Sequence, residues 1–397
     1  MTARKPNKGQ VIGADAEEAL RSYFWRAGFF AVRGVPVQIG GEDITDLDIW
    51  LYERPSGVAR GTQFVDIKYK AKPKAFERIL WSLGVSNALA FDGVFVATPD
   101  TRATVRSFAQ TVGVELIDGH DLSRIVDAYR RSDWNTIYLS EEEFVANLSR
   151  VDLERKQRTL QESFSLVKAV YSIRPSAHTL VRLLGLQSAT ARLCVDQFPG
   201  SAAAEATTRL TYFAVAMVAI NLDSVIADAY FRSSQEKMTY IASAIRFGNS
   251  DRHEGLKPLR TAVALMEKYA PESNVHQKVS QGYQRDLADI PAEIVAEAAL
   301  HAQKNSNLFD LAREFSESAY ARRLPRFDDL SSPAKGLLGA LLDFGRVKRE
   351  DFASRLVVQA PAGKASLLAP DLTANQREEL NPEPGLPLQD AGDSDSD

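Results

Sequence analysis

The spacing of apolar residues before position 130 predicts alternating helices and strands. Helical spacing in residues 14–27 brings Leu20 and Phe24 onto one face, whereas residues 44–52 and 62–69 alternate between apolar and polar side chains as strands do. The same patterns predict strands at 29–39, 44–52, 62–69, 93–98 and 114–117, and helices at 14–27, 73–89 and 101–112, with a further helix capped by Asp121. This order predicts an α/β sandwich whose central sheet mixes parallel and antiparallel strands.

The pattern changes after about residue 135, where helical spacing replaces nearly every strand signal. Long helices are predicted at 153–170, 177–184, 203–231, 291–304 and 308–322. After residue 361 Pro, Gly, Asp and Ser accumulate, which is typical of disorder. We therefore divide the chain into a flexible amino terminus (1–9), an α/β domain (10–130), a linker (131–150), an all-helical domain (151–355) and a disordered acidic tail (361–397).

Composition and charge indicate a soluble protein of a reducing compartment. The chain is 45% hydrophobic and 25% charged, and its single cysteine, Cys194, excludes an internal disulfide and a cysteine-based zinc site. No apolar stretch reaches the roughly 18 residues of a membrane span, and the longest, 210–220, is expected to be a buried helix. The amino terminus lacks the apolar core of a secretory signal. These features predict a cytoplasmic protein that does not bind membranes.

Two adjacent predicted strands carry two carboxylates and a lysine. Residues i and i+2 share one face of a strand, so Asp66 and Lys68 point the same way. The short loop between the strands predicts antiparallel pairing, which can bring Asp48 beside them. A divalent cation would offset the repulsion between the carboxylates, and such oxygen ligands suit Mg²⁺, with Mn²⁺ as a substitute.

This cluster predicts metal-dependent cleavage of a phosphodiester bond. The cation polarises the phosphate and lowers the pKa of the attacking water, while Lys68 orients that water or stabilises the charge of the transition state. The carbonyl of Ile67 is a further candidate metal ligand.

A basic run extends beyond the predicted cluster. The net charge is −4, so nucleic-acid binding would depend on a local basic patch. Lys70, Lys72 and Lys74 supply such a patch and are expected to contact backbone phosphates. Trp81, on the helix that follows, is expected to lie in the core.

A series of motifs runs in a fixed order through residues 13–119. It comprises Gly13, Ala16, Glu17, Leu20, Tyr23, Phe24 and Gly28-Phe29, then Gly40-Gly41 and Asp48-Ile49, then Phe64-Val65-Asp66-Ile67-Lys68-Tyr69, and finally 93–98, 101–112 and 114–119. This series resembles the PD-(D/E)XK nuclease superfamily, and within it the Mrr-type restriction endonuclease domains, over residues 10–125. The resemblance implies a restriction-endonuclease-like α/β domain with a mixed central sheet, followed here by an all-α domain.

The resemblance also implies roles for individual residues. Asp48 and Asp66 are expected to be metal ligands, Lys68 the catalytic lysine, and Glu17 a helix-borne acid that completes the site. Products are expected to carry 5′-phosphate and 3′-hydroxyl ends. Many Mrr-type members have Gln at the position of Asp66, and the acidic form found here favours metal binding.

Two of these assignments have a neighbouring alternative. Asp46 lies on the same strand face as Asp48, which we prefer because the apolar run 49–52 follows it. Glu18 is the alternative to Glu17. The spacing to Leu20 and Gly28 favours Glu17.

The leading functional prediction is a magnesium-dependent endonuclease that hydrolyses DNA in bacterial restriction or anti-phage defence. The alternative is a nuclease-fold subunit with a structural or DNA-binding role in a larger defence or DNA-processing complex, and RNA is a second candidate substrate. The helical domain carries no chemical signature. It is expected to recognise DNA or a partner protein, or to assemble a homo-oligomer.

Overall fold

The computed structural model of the chain describes residues 8–39, 42–68, 74–156, 159–249, 252–270 and 274–356. Within these residues the amino-terminal part forms five strands, β1 (Phe30–Ile39), β2 (Glu42–Glu53), β3 (Gly61–Ile67), β4 (Gly93–Ala97) and β5 (Glu115–Ile117). Four helices accompany them, α1 (Lys8–Arg26), α2 (Ala75–Ala88), α3 (Ala103–Thr111) and α4 (Gly119–Arg131). Each element predicted for this part is present, with its ends shifted by a few residues. The predicted acidic tail at 361–397 lies outside the described residues.

The strands form one sheet in the order β1-β2-β3-β4-β5. The first two pairs are antiparallel and the last two are parallel. The loop at 54–60 joins β2 to β3 as a hairpin, whereas α2 and α3 supply the crossovers that parallel neighbours require. The mixed central sheet predicted from the sequence is therefore confirmed.

The start of α4 differs from the prediction. The carboxylate of Asp118 accepts the backbone N–H groups of His120 and Asp121 at 3.0 and 3.1 Å, so Asp118 is the N-cap. The prediction that Asp121 caps this helix is wrong, because the helix begins one turn earlier and Asp121 lies inside its first turn.

The remaining described residues are almost entirely helical. The helices are α5 (Trp134–Ile137), α6 (Glu141–Arg155), α7 (Thr159–Ala169), α8 (Ala177–Val195), α9 (Ala202–Asp228), α10 (Ser234–Phe247), α11 (Arg252–Gly255), α12 (Lys257–Tyr269), α13 (Val275–Ala288), α14 (Ala292–Asn305), α15 (Leu308–Tyr320), α16 (Ser332–Phe344) and α17 (Arg349–Ala353). The predicted linker at 131–150 contains α5 and much of α6. The helical character predicted for this half is confirmed.

The single helix predicted at 153–170 is wrong, because two helices meet there. Lys156 ends α6 in the left-handed backbone region, with φ of 55°. The buried carboxylate of Asp152 then accepts the N–H groups of Leu160 and Gln161, each at 3.0 Å, at the start of α7. One side chain thus satisfies amides that the beginning of a helix leaves without an intrahelical partner.

Helix α9 forms the centre of the helical half and packs against α8 and α15. It is long and apolar enough to cross a membrane by length and composition, with a mean hydropathy of 1.7, but 89% of its apolar window is buried inside the protein. The expectation of a buried helix at 210–220 is confirmed, and this burial is consistent with a soluble protein.

The same hydrophobic core continues from the helices to the sheet. The hydroxyl of Tyr52, on β2, donates to the fully buried carboxylate of Asp223 on α9 at 2.9 Å, and Arg60 donates to it at the same distance. The Trp50 ring lies 4.4 Å from that of Tyr171, centroid to centroid. Asp48, Trp50 and Tyr52 lie on the same face of β2, because alternate residues of a strand share a face. The helical half therefore covers the face of β2 that carries the predicted acidic residue Asp48.

Candidate active site

The sheet opens between β2 and β3 at the predicted acidic positions. Pairing between these strands ends at Ile49 and Val65, whereas β2 stays paired with β1 and β3 with β4 beyond that point. Asp48 and Asp66 are the next residues on the two strands and flank the opening. The Asp48 carboxylate accepts the backbone N–H of Ile67 at 2.6 Å, and so replaces the strand partner that the ladder no longer supplies.

Asp48 is a strongly perturbed acid. Burial raises the pKa of its carboxyl to about 6, and the nearby Glu17 carboxylate adds to this effect. The N–H of Ile67 and the positive charges of Arg78 and Lys68 act in the opposite direction. Glu17, Arg78 and Lys68 therefore all lie close enough to Asp48 to influence its charge, although they come from three different elements.

Asp66 is buried beneath a guanidinium group. Its side chain is 3% exposed, and its two carboxylate oxygens accept separate N–H groups of Arg78, from α2. The Arg78 guanidinium also lies over the Trp81 ring, 3.9 Å from the ring centroid. Trp81 is 37% exposed, so the expectation that it lies in the core is wrong; its ring supports Arg78 at the surface instead.

Lys68 directly follows β3. Its backbone N–H donates to the carbonyl of Ala97 on β4 at 2.9 Å, which holds the chain in place, and its side chain is half-buried. Among the described residues, the Lys68 ammonium has no hydrogen-bond or ion-pair partner, so it is available to a ligand.

The predicted phosphate-binding lysines are described only in part. Lys74 is exposed and forms an ion pair with Glu77 at 2.9 Å, three residues later in α2. Lys70 and Lys72 lie outside the described residues. The predicted role of all three remains a prediction.

The two acids of α1 occupy different environments. Glu18 is 2% exposed and accepts N–H groups from Arg21, Arg33 and the Trp134 indole, so it belongs to the buried framework. Burial acts to raise the pKa of Glu18, but Arg21 and Arg33 hold it below its ordinary value. The Glu17 carboxylate is 32% exposed and accepts one Arg33 N–H at 2.6 Å. Of the two, Glu17 is the one that faces open space.

A cleft of about 450 Å³ lies on this side of the sheet. Its walls include Glu17, Asp46 and Asp48 on one side and Gln161 and Lys168 on the other, so strands and helices both contribute. Asp46 is exposed and Asp48 is half-buried. Both of the candidate strand acids therefore reach the cleft, and Asp48 alone also contacts β3 through Ile67.

Sequence reasoning missed three cations around these acids. Arg33 is 4% exposed and also donates to Glu142 at 2.8 Å, and Lys168 donates to Glu141 at 2.7 Å and to the Arg33 carbonyl at 3.0 Å. Arg33 could have been found from the sequence, because it is a charged residue inside the apolar strand β1. Arg78 had no such signal, because its contact with Asp66 depends on how α2 packs on the sheet.

The acids fit a divalent cation in their chemistry but not in their present arrangement. Carboxylate oxygens are the ligands that Mg²⁺ prefers. However, the described residues include no group of three or more His, Cys, Asp or Glu side chains arranged to hold a metal ion. At Asp66, the guanidinium of Arg78 engages both carboxylate oxygens.

A larger groove lies away from these residues. It has a volume of about 970 Å³ and is lined by α10, α12 and α13, including Met238, Leu259 and Val263. None of the candidate catalytic residues contributes to it, so its size alone does not make it the active site.

Comparison of the chain with protein-family models, with curated proteins and with solved structures gives no match in any of the three.

Proposed function

We propose that this protein is a magnesium-dependent endonuclease with a restriction-endonuclease-like domain of the PD-(D/E)XK type, and that it hydrolyses phosphodiester bonds of DNA. The observation that carries the proposal is the opening between β2 and β3. There, Asp48, which lines the cleft, and Asp66 flank the gap on neighbouring strands. Lys68 follows β3 directly, and its ammonium has no hydrogen-bond or ion-pair partner among the described residues. We further propose a cytoplasmic role in restriction or anti-phage defence.

Each residue has a distinct task in this proposal. Asp48, and Asp66 once it has left Arg78, would hold the cation, with Glu17 and the Ile67 carbonyl as further candidate ligands. The cation would supply polarisation of the scissile phosphate and a lowered pKa of the attacking water. Lys68 would orient that water or stabilise the negative charge of the transition state. Lys70, Lys72 and Lys74 would contact the backbone phosphates.

The raised pKa of Asp48 supports a cation at this point. A buried carboxylate whose charged form is disfavoured gains most from a positive ligand, because the ligand offsets both burial and the neighbouring Glu17 charge. Lys68 supports the proposal in a different way. Its ammonium has no partner in the part of the chain that the structure describes, so a substrate can use it.

The test is a cleavage assay with matched lysine variants. Plasmid DNA, linear DNA and RNA are incubated with the purified protein in Mg²⁺ or Mn²⁺. We expect Lys68→Ala to reduce DNA cleavage by on the order of 10²–10³-fold, the cost of losing one group that stabilises the transition state. Lys257→Ala is the matched control, because that lysine is also exposed and forms an ion pair with a glutamate three residues away, Glu254, outside the candidate site; we expect a small effect. Cleavage that survives Lys68→Ala would refute the site assignment.

A second function is favoured by the Arg78 contact. Because Asp66 is occupied in the protein alone, the chain fits a nuclease-fold subunit that binds DNA within a larger complex. In that case no substrate is cut in either metal, although DNA still binds. The helical half would then recognise DNA or a partner protein, or form a homo-oligomer. Cleavage confined to RNA would instead identify a ribonuclease.

A further inference from the structure

The guanidinium of Arg78 and a divalent cation compete for the same acid. Two N–H groups of Arg78 engage both oxygens of Asp66, the paired geometry in which guanidinium groups bind carboxylates most strongly. A carboxylate keeps further lone pairs, but a dication at those positions would lie against the guanidinium. Like charges at that distance repel each other, so the ion pair excludes the cation.

Arg78 is also placed to meet a ligand from solvent. Its side chain is 23% exposed, whereas that of Asp66 is 3% exposed, so the guanidinium closes the acid off from the outside. The Trp81 ring supports the guanidinium from one side and leaves its N–H groups directed at acceptors. A planar guanidinium binds a phosphate with the same paired geometry as a carboxylate.

We propose that Arg78 is a substrate-phosphate ligand that covers Asp66 in the free protein and moves to a backbone phosphate when DNA binds. This inference rests on the proposed nuclease function and deepens it. Transfer of Arg78 leaves Asp66 and Asp48 as two neighbouring acids without the guanidinium charge beside them. Their mutual repulsion then favours binding of a divalent ion. DNA and the ion then bind cooperatively, and each raises the affinity for the other by the same factor.

The test measures Mn²⁺ affinity rather than cleavage. Free Mn²⁺ is followed by electron paramagnetic resonance in titrations of the full chain. The titrations are made without DNA and with a short duplex whose linkages are phosphorothioates that resist hydrolysis, and the duplex alone serves as the blank. We expect wild-type protein to bind Mn²⁺ at least about tenfold more tightly with the duplex than without it, at the low end of ordinary coupling between two sites.

Variants of α2 distinguish an Arg78 that competes with the metal ion from one that only forms a structural ion pair with Asp66. Without DNA, Arg78→Ala should bind Mn²⁺ about tenfold more tightly than wild type, and the duplex should add little further gain. Adding Asp66→Asn to Arg78→Ala should remove the gain, which places it at Asp66. Trp81→Ala keeps Arg78 but removes its support, and should give an intermediate affinity even if Arg78→Ala folds poorly. Asn87→Ala, at an exposed position of the same helix, is the control and should match wild type.

The outcomes distinguish this inference from the proposed function. If Arg78→Ala and Trp81→Ala bind Mn²⁺ no more tightly than wild type, or if the duplex leaves wild-type affinity unchanged, the inference is overturned even when DNA is cut. If the expected affinities are found but no nucleic acid is cleaved, competition at Asp66 stands and the nuclease proposal fails.

Discussion

Replacement of Asp48 by asparagine tests the electrostatics of the site without a substrate. The amide keeps the size of the side chain and an oxygen that accepts the Ile67 N–H, which Asp48 accepts at 2.6 Å. It removes the only titrating proton at this position. The variant therefore isolates the cost of the buried charge.

The magnitude follows from the pKa of Asp48, which burial raises from 3.8 to about 6. That is a rise of roughly two units, and at about 1.4 kcal/mol per unit it corresponds to about 3 kcal/mol. The sign follows from proton binding. Between these two values the folded protein holds a proton that the unfolded chain has released, so this group destabilises the fold as the pH rises through the window.

We therefore expect Asp48→Asn to gain stability relative to wild type at high pH. The difference in free energy of unfolding between variant and wild type should be larger by about 2.5 kcal/mol at about pH 8 than at about pH 4, where the unfolded carboxyl is already partly ionised. Urea unfolding followed by tryptophan fluorescence measures it at both pH values. Other groups titrate alike in the two proteins and cancel in the comparison.

Asp46→Asn is the matched control, because Asp46 lies on the same strand face but is exposed. Its effect should stay within about 0.5 kcal/mol at either pH, as is usual for surface substitutions. A difference between Asp48→Asn and wild type that does not change with pH would show that the Asp48 carboxyl is not perturbed, and the reasoning would fail.

Three further predictions concern ligands and packing. Mg²⁺ should raise the thermal midpoint of wild type at about pH 8, where Asp48 is charged, more than that of Asp48→Asn, in a thermal shift assay. Arg33→Met should cost about 3–5 kcal/mol in urea unfolding, because it removes a partner of the buried Glu18 carboxylate. Asp223→Ala should cost a similar 3–5 kcal/mol, because Arg60 then remains partly buried without its counter-ion.

Each of these has a result that would contradict it. An equal Mg²⁺ effect on both proteins would place the cation away from Asp48. Arg124→Met is the control for the arginine variant, because Arg124 is 78% exposed in its ion pair and should cost under about 1 kcal/mol. A similarly small loss for Arg33→Met or Asp223→Ala would mean that these buried ion pairs do not stabilise the fold.

The strands and the grouping of the candidate site residues follow from local patterns. The period of two in β2 and β3, with a short loop between them, was enough to predict antiparallel pairing and to group Asp48 with Asp66 and Lys68. These relations hold within one hairpin, where strand geometry and loop length determine which residues are neighbours. The mixed sheet and the helical second half were predictable for the same reason.

The burial of the acidic side chains depends on contacts between residues far apart in the sequence. Glu17 and Glu18 are adjacent on α1, but their environments differ. Glu18 is buried and accepts N–H groups from Arg33 and Trp134, whereas Glu17, among the described residues, accepts from Arg33 alone and faces the cleft. The break between α6 and α7 likewise depends on where the Asp152 carboxylate lies.

At Asp66, the sequence determines one part of the arrangement and the tertiary structure determines the other. The sequence by itself determined that an acid and a lysine, Asp66 and Lys68, share one strand face, because a strand repeats every two residues. Only the tertiary structure decided that Arg78 covers Asp66, because this contact depends on how α2 packs against the sheet and on the Trp81 ring beneath the guanidinium. No spacing along the chain encodes that packing, since helix propensity and apolar periodicity are the same whichever residue the guanidinium meets.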